Sequence, residues 1–514
     1  MKRIISAWLL AVLLIMPAAA ESVIQINGEL APMTQEETLW MVQEVSDAYF
    51  QDEAIAAELE AEIRQEVIPL VYEDMDDEEL EALPKERVVY TLTHNGRSMR
   101  FQMEIKGNPD ENGFPLYLTL HGGGGGPAEE NDDEWDTMFY YYRGAVENGI
   151  YIAIRGITDT WDLHFRPESY PLYDRLIQAM IHLYHADPNR VYLLGFSAGG
   201  DGVYQIAPRM ADRFAAVNMS SGHPNGVSLR NLANLPISIQ VGVRDYYSES
   251  ALRCVRAAEF EKVLSDWHDL HHYGYEHQVL VRVPAGHNYD DHTYIGPVEE
   301  GSEASESEPL ADMLADPTAY ADPEIVMPLL HRFQQAFQAA SGIDFISQMS
   351  YVSETMFPEF DSEIRTILED EFHLTTKKVN GSAVYYVNQF TRNPAPAIVE
   401  WDLGTRAAAR DVNSFYWLRA EQSVTQGMIL AMNLGDNHLS IAPQELNGDF
   451  SILVNPRMLD VSKPIRISTP EGEFTVQVNP SMETLQNSII ETGDPSLAWV
   501  AEIPYSQLDS STAR

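Results

Sequence analysis

Residues 195–199 read GFSAG, a serine flanked at two positions on either side by glycine. A serine hydroxyl held on a turn this tight is suited to nucleophilic attack. Such a short pattern gains its meaning from context. Here it follows the apolar run VYLL (191–194) and precedes GGDGVYQIAPRMA, a segment able to start a helix, which is the strand–turn–helix setting of a nucleophile elbow. Small residues at 195 and 199 let the turn close, and the strained backbone lifts the Ser197 hydroxyl clear of its strand. That hydroxyl needs a base, and the base needs an orienting carboxylate. Asp245 follows the strand-like ISIQVGV (237–243), and His287 follows QVLVRVP (278–284), so both fall where open parallel sheets gather their sites. Asp245 is therefore expected as the acid and His287 as the base. His223 precedes any credible acid strand, and His271, His272 and His277 come before the last strand. Asp290 and Asp291 lie too close to His287 in sequence to be preferred as its partner.

Acyl transfer also needs donors aimed at a developing oxyanion. LTLHGGGGGPAEE supplies a loop, His121 and Gly122 to Gly126, directly after a strand at 114–120. The expected donors are the N–H of Ala198 and a glycine N–H, Gly123 or Gly124. As a phosphate cradle the run lacks the lysine and Ser/Thr of a P-loop. His121, with Trp161 and His164 of DTWDLHF, is expected to wall a substrate cleft. There is no H-E-x-x-H and no cysteine cluster, so neither a metal nor a cofactor is expected.

The elements that must carry these residues are visible as a change of periodicity. Short apolar runs at 114–120, 150–154, 191–195, 214–219, 237–243 and 278–284 alternate with helical segments, the pattern of an α/β fold with a mostly parallel sheet flanked by helices. Upstream, RVVYTLTHNGRSMRFQMEIKG alternates on both sides of Asn95–Gly96 and predicts a two-residue hairpin. Residues 35–82 are acidic and read as helical. Helical periodicity also returns over 323–341. Beyond about 383, short strands separated by turns predict a C-terminal β-sandwich-like domain.

These readings divide the chain into a secretory signal at 1–20, an acidic helical prefix at 21–85 and an α/β catalytic domain at 86–345 with an acidic insertion near 299–309. A connecting segment at 346–391 and a β-rich accessory domain at 392–514 complete it. The signal is carried by Lys2/Arg3, an apolar stretch from Ile4 to Met16 and an Ala18-x-Ala20 site. No later stretch is apolar for a membrane span, so the mature protein is expected to be secreted or periplasmic. With a single cysteine, Cys254, no disulfide within the chain is possible. The 78 acidic and 33 basic residues give a formal charge of −45, which repels phosphate backbones and argues against nucleic acid as a partner. Oligomeric state leaves no mark in the sequence.

In LHGGGGG, DPNRVYLLGFSAGGDGVYQIA, IQVGVRD and AGH, which span roughly 86–300, the chain resembles the α/β-hydrolase superfamily. Within it the likeness is to the secreted esterase and polyhydroxybutyrate-depolymerase-like group, near the prolyl-oligopeptidase-type serine hydrolases. FTRNPAPAIVEWD followed by SFYWLRAEQ looks like the strand-rich extension that some members carry. The resemblance implies nucleophile, acid and base roles for Ser197, Asp245 and His287. It also implies hydrolysis of carboxylic esters, small or polymeric, through an acyl-enzyme. The same machinery would serve a peptidase, and an inactive hydrolase fold used for binding is a third possibility. The long acidic stretch just after His287 departs from the family pattern, in which a helix follows almost at once.

Overall fold

A computed structural model describes residues 23–27, 33–69, 86–242, 245, 253–282, 287–289, 382–407 and 410–508. The expected signal, the insertion at 299–309, the helical segment at 323–341 and the connecting segment up to residue 381 lie outside the described residues.

The chain enters through strand β1 (Val23–Ile26), helix α1 (Gln35–Phe50), helix α2 (Glu53–Glu62) and strand β2 (Ile63–Pro69). Thr34 and Glu37 form a reciprocal capping box at the start of α1, and Asp52 caps α2. Within 35–82 the helical reading therefore holds through residue 62 and fails at 63–69, while residues 70–82 lie outside the described residues. From Ile63 the backbone is extended and pairs antiparallel with β3 (Glu86–His94), Ile63 opposite Leu92 through Pro69 opposite Glu86. The edge of β3 offers hydrogen bonds that outweigh the weak helical preference of this segment.

β3 turns into β4 (Arg97–Lys106) through Asn95 and Gly96, both with positive φ (51° and 75°), the tight hairpin that the Asn-Gly pair predicts. Then come β5 (Phe114–Leu120), α3 (Ala128–Tyr141), β6 (Gly149–Ile154), α4 (Ser169–Tyr184), β7 (Ala186–Phe196), α5 (Ala198–Ile206), β8 (Ala216–Ser220), β9 (Ile237–Gly242), α6 (Arg253–His271), β10 (His277–Arg282) and α7 (Ala383–Val387). The nine-stranded sheet runs β2-β3-β4-β6-β5-β7-β8-β9-β10. Its strands from β6 to β10 are parallel, while β2, β3 and β4 form an antiparallel flank.

The central strands are buried on both sides, and their alternation divides the core. Leu116, Leu118, Ile150, Ile152, Val191 and Leu193 face the layer that contains Leu176 of α4, Val203 of α5 and Phe260 of α6. Tyr117, Tyr151, Tyr192 and Leu194 face Trp135 and Met138 of α3 and Val384 and Val387 of α7. Residues 382–390, read from sequence as part of a connector, thus pack on the catalytic sheet. Tyr117 donates to Asn388 Oδ1 (2.7 Å) and Tyr192 to the Phe390 carbonyl (2.9 Å).

The rest of the described chain is β-rich: β11 (Ile398–Asp402), β12 (Ser414–Phe415), β13 (Leu418–Ala420), β14 (Met428–Asn433), β15 (His438–Gln444), β16 (Phe450–Val454), β17 (Ile465–Thr469), β18 (Gly472–Val478), α8 (Met482–Thr492) and β19 (Ala501–Pro504). Two sheets result, a four-stranded one (β12-β13-β16-β19) and a six-stranded one (β1-β18-β17-β15-β14-β11). β1 lies parallel to β18, so residues near the start of the chain complete a sheet built from its end.

This region is joined to the catalytic layer by buried ion pairs. Arg410 binds Asp174 of α4 (2.8 Å) and Asp212 (2.9 Å), and Arg392 binds Asp494 (2.6 Å). Arg213 lies between Asp174 (3.3 Å) and Asp494 (3.7 Å). Each of these six side chains is buried.

Candidate active site

Ser197 sits between the end of β7 and the start of α5 with φ 55° and ψ −119°, a conformation that costs on the order of 1–3 kcal/mol for a residue with a side chain. Two hydrogen bonds hold it there. Its N–H donates to the Ser220 carbonyl (2.9 Å), and its carbonyl accepts from Asp201 N (3.0 Å). The flanking glycines are required by space: a Cβ on Gly195 would strike the Gly199 backbone, and one on Gly199 would strike the Leu120 carbonyl.

The three residues expected to act together are in contact. Ser197 Oγ lies 2.9 Å from His287 Nε2, and His287 Nδ1 lies 2.9 Å from Asp245 Oδ1. With the carboxylate accepting from Nδ1–H, Nε2 is left to accept the serine proton. Asp245 is buried, and its Oδ1 also accepts from Arg253 of α6 (3.2 Å).

In chain order the hydroxyl follows β7, the carboxylate follows β9 and the imidazole follows β10. The chain has the α/β-hydrolase fold.

The segment bearing His287 is pinned from several directions. Ser221, in the left-handed region at φ 48°, donates from Oγ to the His287 carbonyl (3.0 Å). Tyr289 donates to the Gln240 carbonyl (2.9 Å), and Tyr141 of α3 donates to the Tyr289 carbonyl (2.6 Å). Phe196 packs against both His287 and Tyr289. The competing histidines are occupied elsewhere. The His223 ring binds Asn225 and the His223 backbone N–H donates to Asp201 Oδ1 (2.6 Å), while His271 faces Glu400 and His277 faces Glu261.

The glycine loop adjoins the serine, but not all of its N–H groups are available. A Cβ on Gly122 would lie 3.3 Å from Ser197 Cβ, which makes Gly122 a neighbour of the nucleophile. Gly124, an expected donor to the oxyanion, instead gives its N–H to Asn131 Oδ1 (2.7 Å), and Gly125 gives its own to the Asp159 carbonyl (2.9 Å). The N–H groups of Gly122 and Gly123 have no protein acceptor among the described residues. Ala198 is the first residue of α5, where helical N–H groups lack intrahelical partners.

His121 and His164 do not wall a cleft. Both are buried, and both brace the glycine loop. His121 donates from Nδ1 to the Gly122 carbonyl (2.6 Å) and accepts at Nε2 from Gly156 N (3.0 Å), while His164 Nε2 donates to the His121 carbonyl (2.9 Å). Burial, with His164 and Arg155 nearby, holds His121 well below the usual histidine pKa, and burial brings His164 down to about 3. Trp161 is exposed, its ring edge-on to Phe165 and its backbone beside Gly124.

The roles of Ser221, Tyr141 and Tyr289 escaped the sequence reading because each rests on a contact made far along the chain, whereas Asn131 and Arg253 act over only seven and eight residues, from a helix back to the loop before it. Arg253, eight residues past the expected acid, was the one with a sequence signal. Among the described residues, no group of His, Cys, Asp and Glu could hold a metal ion, and no helix is long and apolar enough to cross a membrane.

Neither a protein-family model nor a curated protein sequence matches the chain. Solved structures do align with part of it. A poly(3-hydroxybutyrate) depolymerase, LpqC, from Bordetella parapertussis aligns at 17% identity and TM-score 0.32, over 39% of this chain and 85% of its own. An S-formylglutathione hydrolase from Agrobacterium tumefaciens aligns at 14% and 0.29, over 40% and 88%. The BES protein from Bacillus cereus aligns at 11% and 0.28, over 44% and 89%. At these values the fold assignment rests on the chain's own strand order and site geometry.

Proposed function

We propose that this chain is a secreted serine hydrolase that cleaves carboxylic esters. The observation that carries the reading is the continuous hydrogen-bonded chain from Ser197 through His287 to Asp245, set on a strained strand-to-helix turn. Ser197 Oγ attacks the ester carbonyl carbon as His287 Nε2 takes its proton, and Asp245 stabilises the imidazolium at Nδ1. The Ala198 N–H and an N–H of Gly122 or Gly123 stabilise the tetrahedral anion. His287 returns the proton to the departing alcohol, and water repeats the sequence on the acyl-enzyme. No step requires a cofactor. Secretion rests on the basic, apolar and small-residue pattern of residues 1–20, and the β-rich region is read as accessory to ester cleavage.

The test is a panel of p-nitrophenyl esters beside peptide p-nitroanilides, with fluorophosphonate labelling of the purified protein. Ester turnover and labelling that both vanish in Ser197→Ala are expected. Faster amide turnover would turn the reading to a peptidase, and equal labelling of both proteins would remove Ser197 from the chemistry.

A further inference from the structure

We propose that Glu134 selects substrates by charge, favouring esters that carry a cationic group near the scissile carbonyl and rejecting anionic ones. The inference rests on the serine-hydrolase reading above and specifies what that site accepts. Glu134 projects from α3 along the glycine loop. A Cβ on Gly122 would lie 2.8 Å from Glu134 Oε2 and 3.3 Å from Ser197 Cβ, so the carboxyl and the nucleophile face each other across one residue that has no side chain. The carboxyl therefore borders the space where an acyl group and its oxyanion would form.

Among the described residues its carboxyl is left without an ion-pair partner. On the same helix Asp132 binds Arg100 (2.7 Å) and Arg155 (2.6 Å), and Asp136 binds Arg87 and Gln102. Among the described residues nothing donates a hydrogen bond to Glu134 or forms an ion pair with it. Arg253, a guanidinium at the triad, is engaged by Asp245. One turn earlier on the helix, Glu130 Oε2 lies 2.8 Å from where a Cβ on Gly126 would be, which extends the acidic edge along the loop. Although Glu134 is exposed on its helix, the protein around it partly desolvates the carboxyl and raises its pKa, an effect the nearby His287 opposes and Asp133 reinforces.

A negative charge beside a developing oxyanion opposes catalysis unless the substrate brings a positive one. A cationic substituent would neutralise Glu134 and be bound by it, whereas an anionic substituent would meet two like charges. At a separation of several ångströms and an effective dielectric of about 20 near a protein surface, each change of substituent charge is worth about tenfold in kcat/KM.

Three p-nitrophenyl esters of matched length, 4-(trimethylammonio)butyrate, hexanoate and hemiglutarate, provide the test on the full-length protein. The expected order for the wild type is cationic over neutral over anionic, with steps of about tenfold. In Glu134→Gln the cationic-to-anionic ratio collapses by at least about tenfold, and in Glu134→Lys the order inverts. Unchanged melting temperatures would show that both variants fold. A wild-type ratio retained in Glu134→Gln, or hemiglutarate cleaved as fast as hexanoate by the wild type, overturns the proposal. If the wild type cleaves none of the three esters and takes no fluorophosphonate label, the hydrolase reading itself falls, and this inference with it.

Discussion

Two sets of acidic residues in this molecule are treated in opposite ways. Between the catalytic layer and the β-rich region, Asp174, Asp212 and Asp494 are buried, and each is met by a guanidinium of Arg213, Arg392 or Arg410. Beside the nucleophile, Glu134 has more access to water and forms no ion pair among the described residues. Burying an unpaired charge is so costly that a stable interface must match its ions. At a site that meets ligands, the missing partner can arrive with the ligand. In a chain with a formal charge of −45, the placement of its few cations is therefore informative.

The largest expected effect separates chemistry from stability. Ser197→Ala should lower ester turnover by about 10⁴-fold or more while leaving the melting temperature at or above that of the wild type, because alanine leaves the elbow's backbone bonds in place. Loss of fold along with activity would show that the two regions are not separable in this way.

Arg410→Ala should do the reverse. It leaves Asp174 with Arg213 and takes from Asp212 the cation it pairs with among the described residues, and a cost of about 3–5 kcal/mol is expected in urea unfolding. The variant that remains folded should keep its esterase activity. An unchanged unfolding midpoint would mean that the Arg410 pairs add nothing to the stability of this interface.

Asp494 sharpens the contrast through pH. Burial alone would raise its carboxyl, but Arg392 and Arg213 outweigh burial and hold it below the ordinary aspartate value. A group whose pKa is lower in the folded than in the unfolded state adds stability above the unfolded value, about 3.9, and loses it as pH falls through the folded one. Tryptophan fluorescence between about pH 5 and pH 2 should show acid unfolding of the wild type, with a shallower pH dependence for Asp494→Asn. Equal slopes would mean that other carboxylates govern the acid limb.

The smallest effect concerns the pinning of His287. Ser221→Ala removes one hydrogen bond to its carbonyl, worth about 1 kcal/mol. A drop in kcat of a few-fold with KM little changed is expected, and Ser221→Thr should recover part of it. A change in melting temperature with kcat untouched would make Ser221 purely structural.

The sequence revealed most where sterics act locally. Glycines two positions to either side of Ser197 are demanded by the turn itself, and residues that follow successive strands are brought to one edge by a parallel sheet. This is why Asp245 and His287 could be paired although they lie 42 positions apart. Asn95–Gly96 was legible for the same local reason. What failed depended on distant partners. Residues 63–69 join β3 because an open edge was available, and His121 and His164 are buried because α5 and the loop at 156–163 close over them. Nothing in the residue type distinguishes a histidine that braces a loop from one that meets a substrate. Gly124 was misassigned because its N–H goes to Asn131, a side chain seven residues away that lies on the next helix.

The pairing of Val23–Ile26 with Thr475–Val478 sets an order on assembly. During synthesis some 450 residues must leave the ribosome before the first strand meets its neighbour. Until then an unsatisfied row of backbone amides waits at the amino-terminal side, open to chaperones or to another nascent chain. A ribosome that stops before Gly472 would release a polypeptide whose catalytic residues are all present but whose outer sheet cannot be completed.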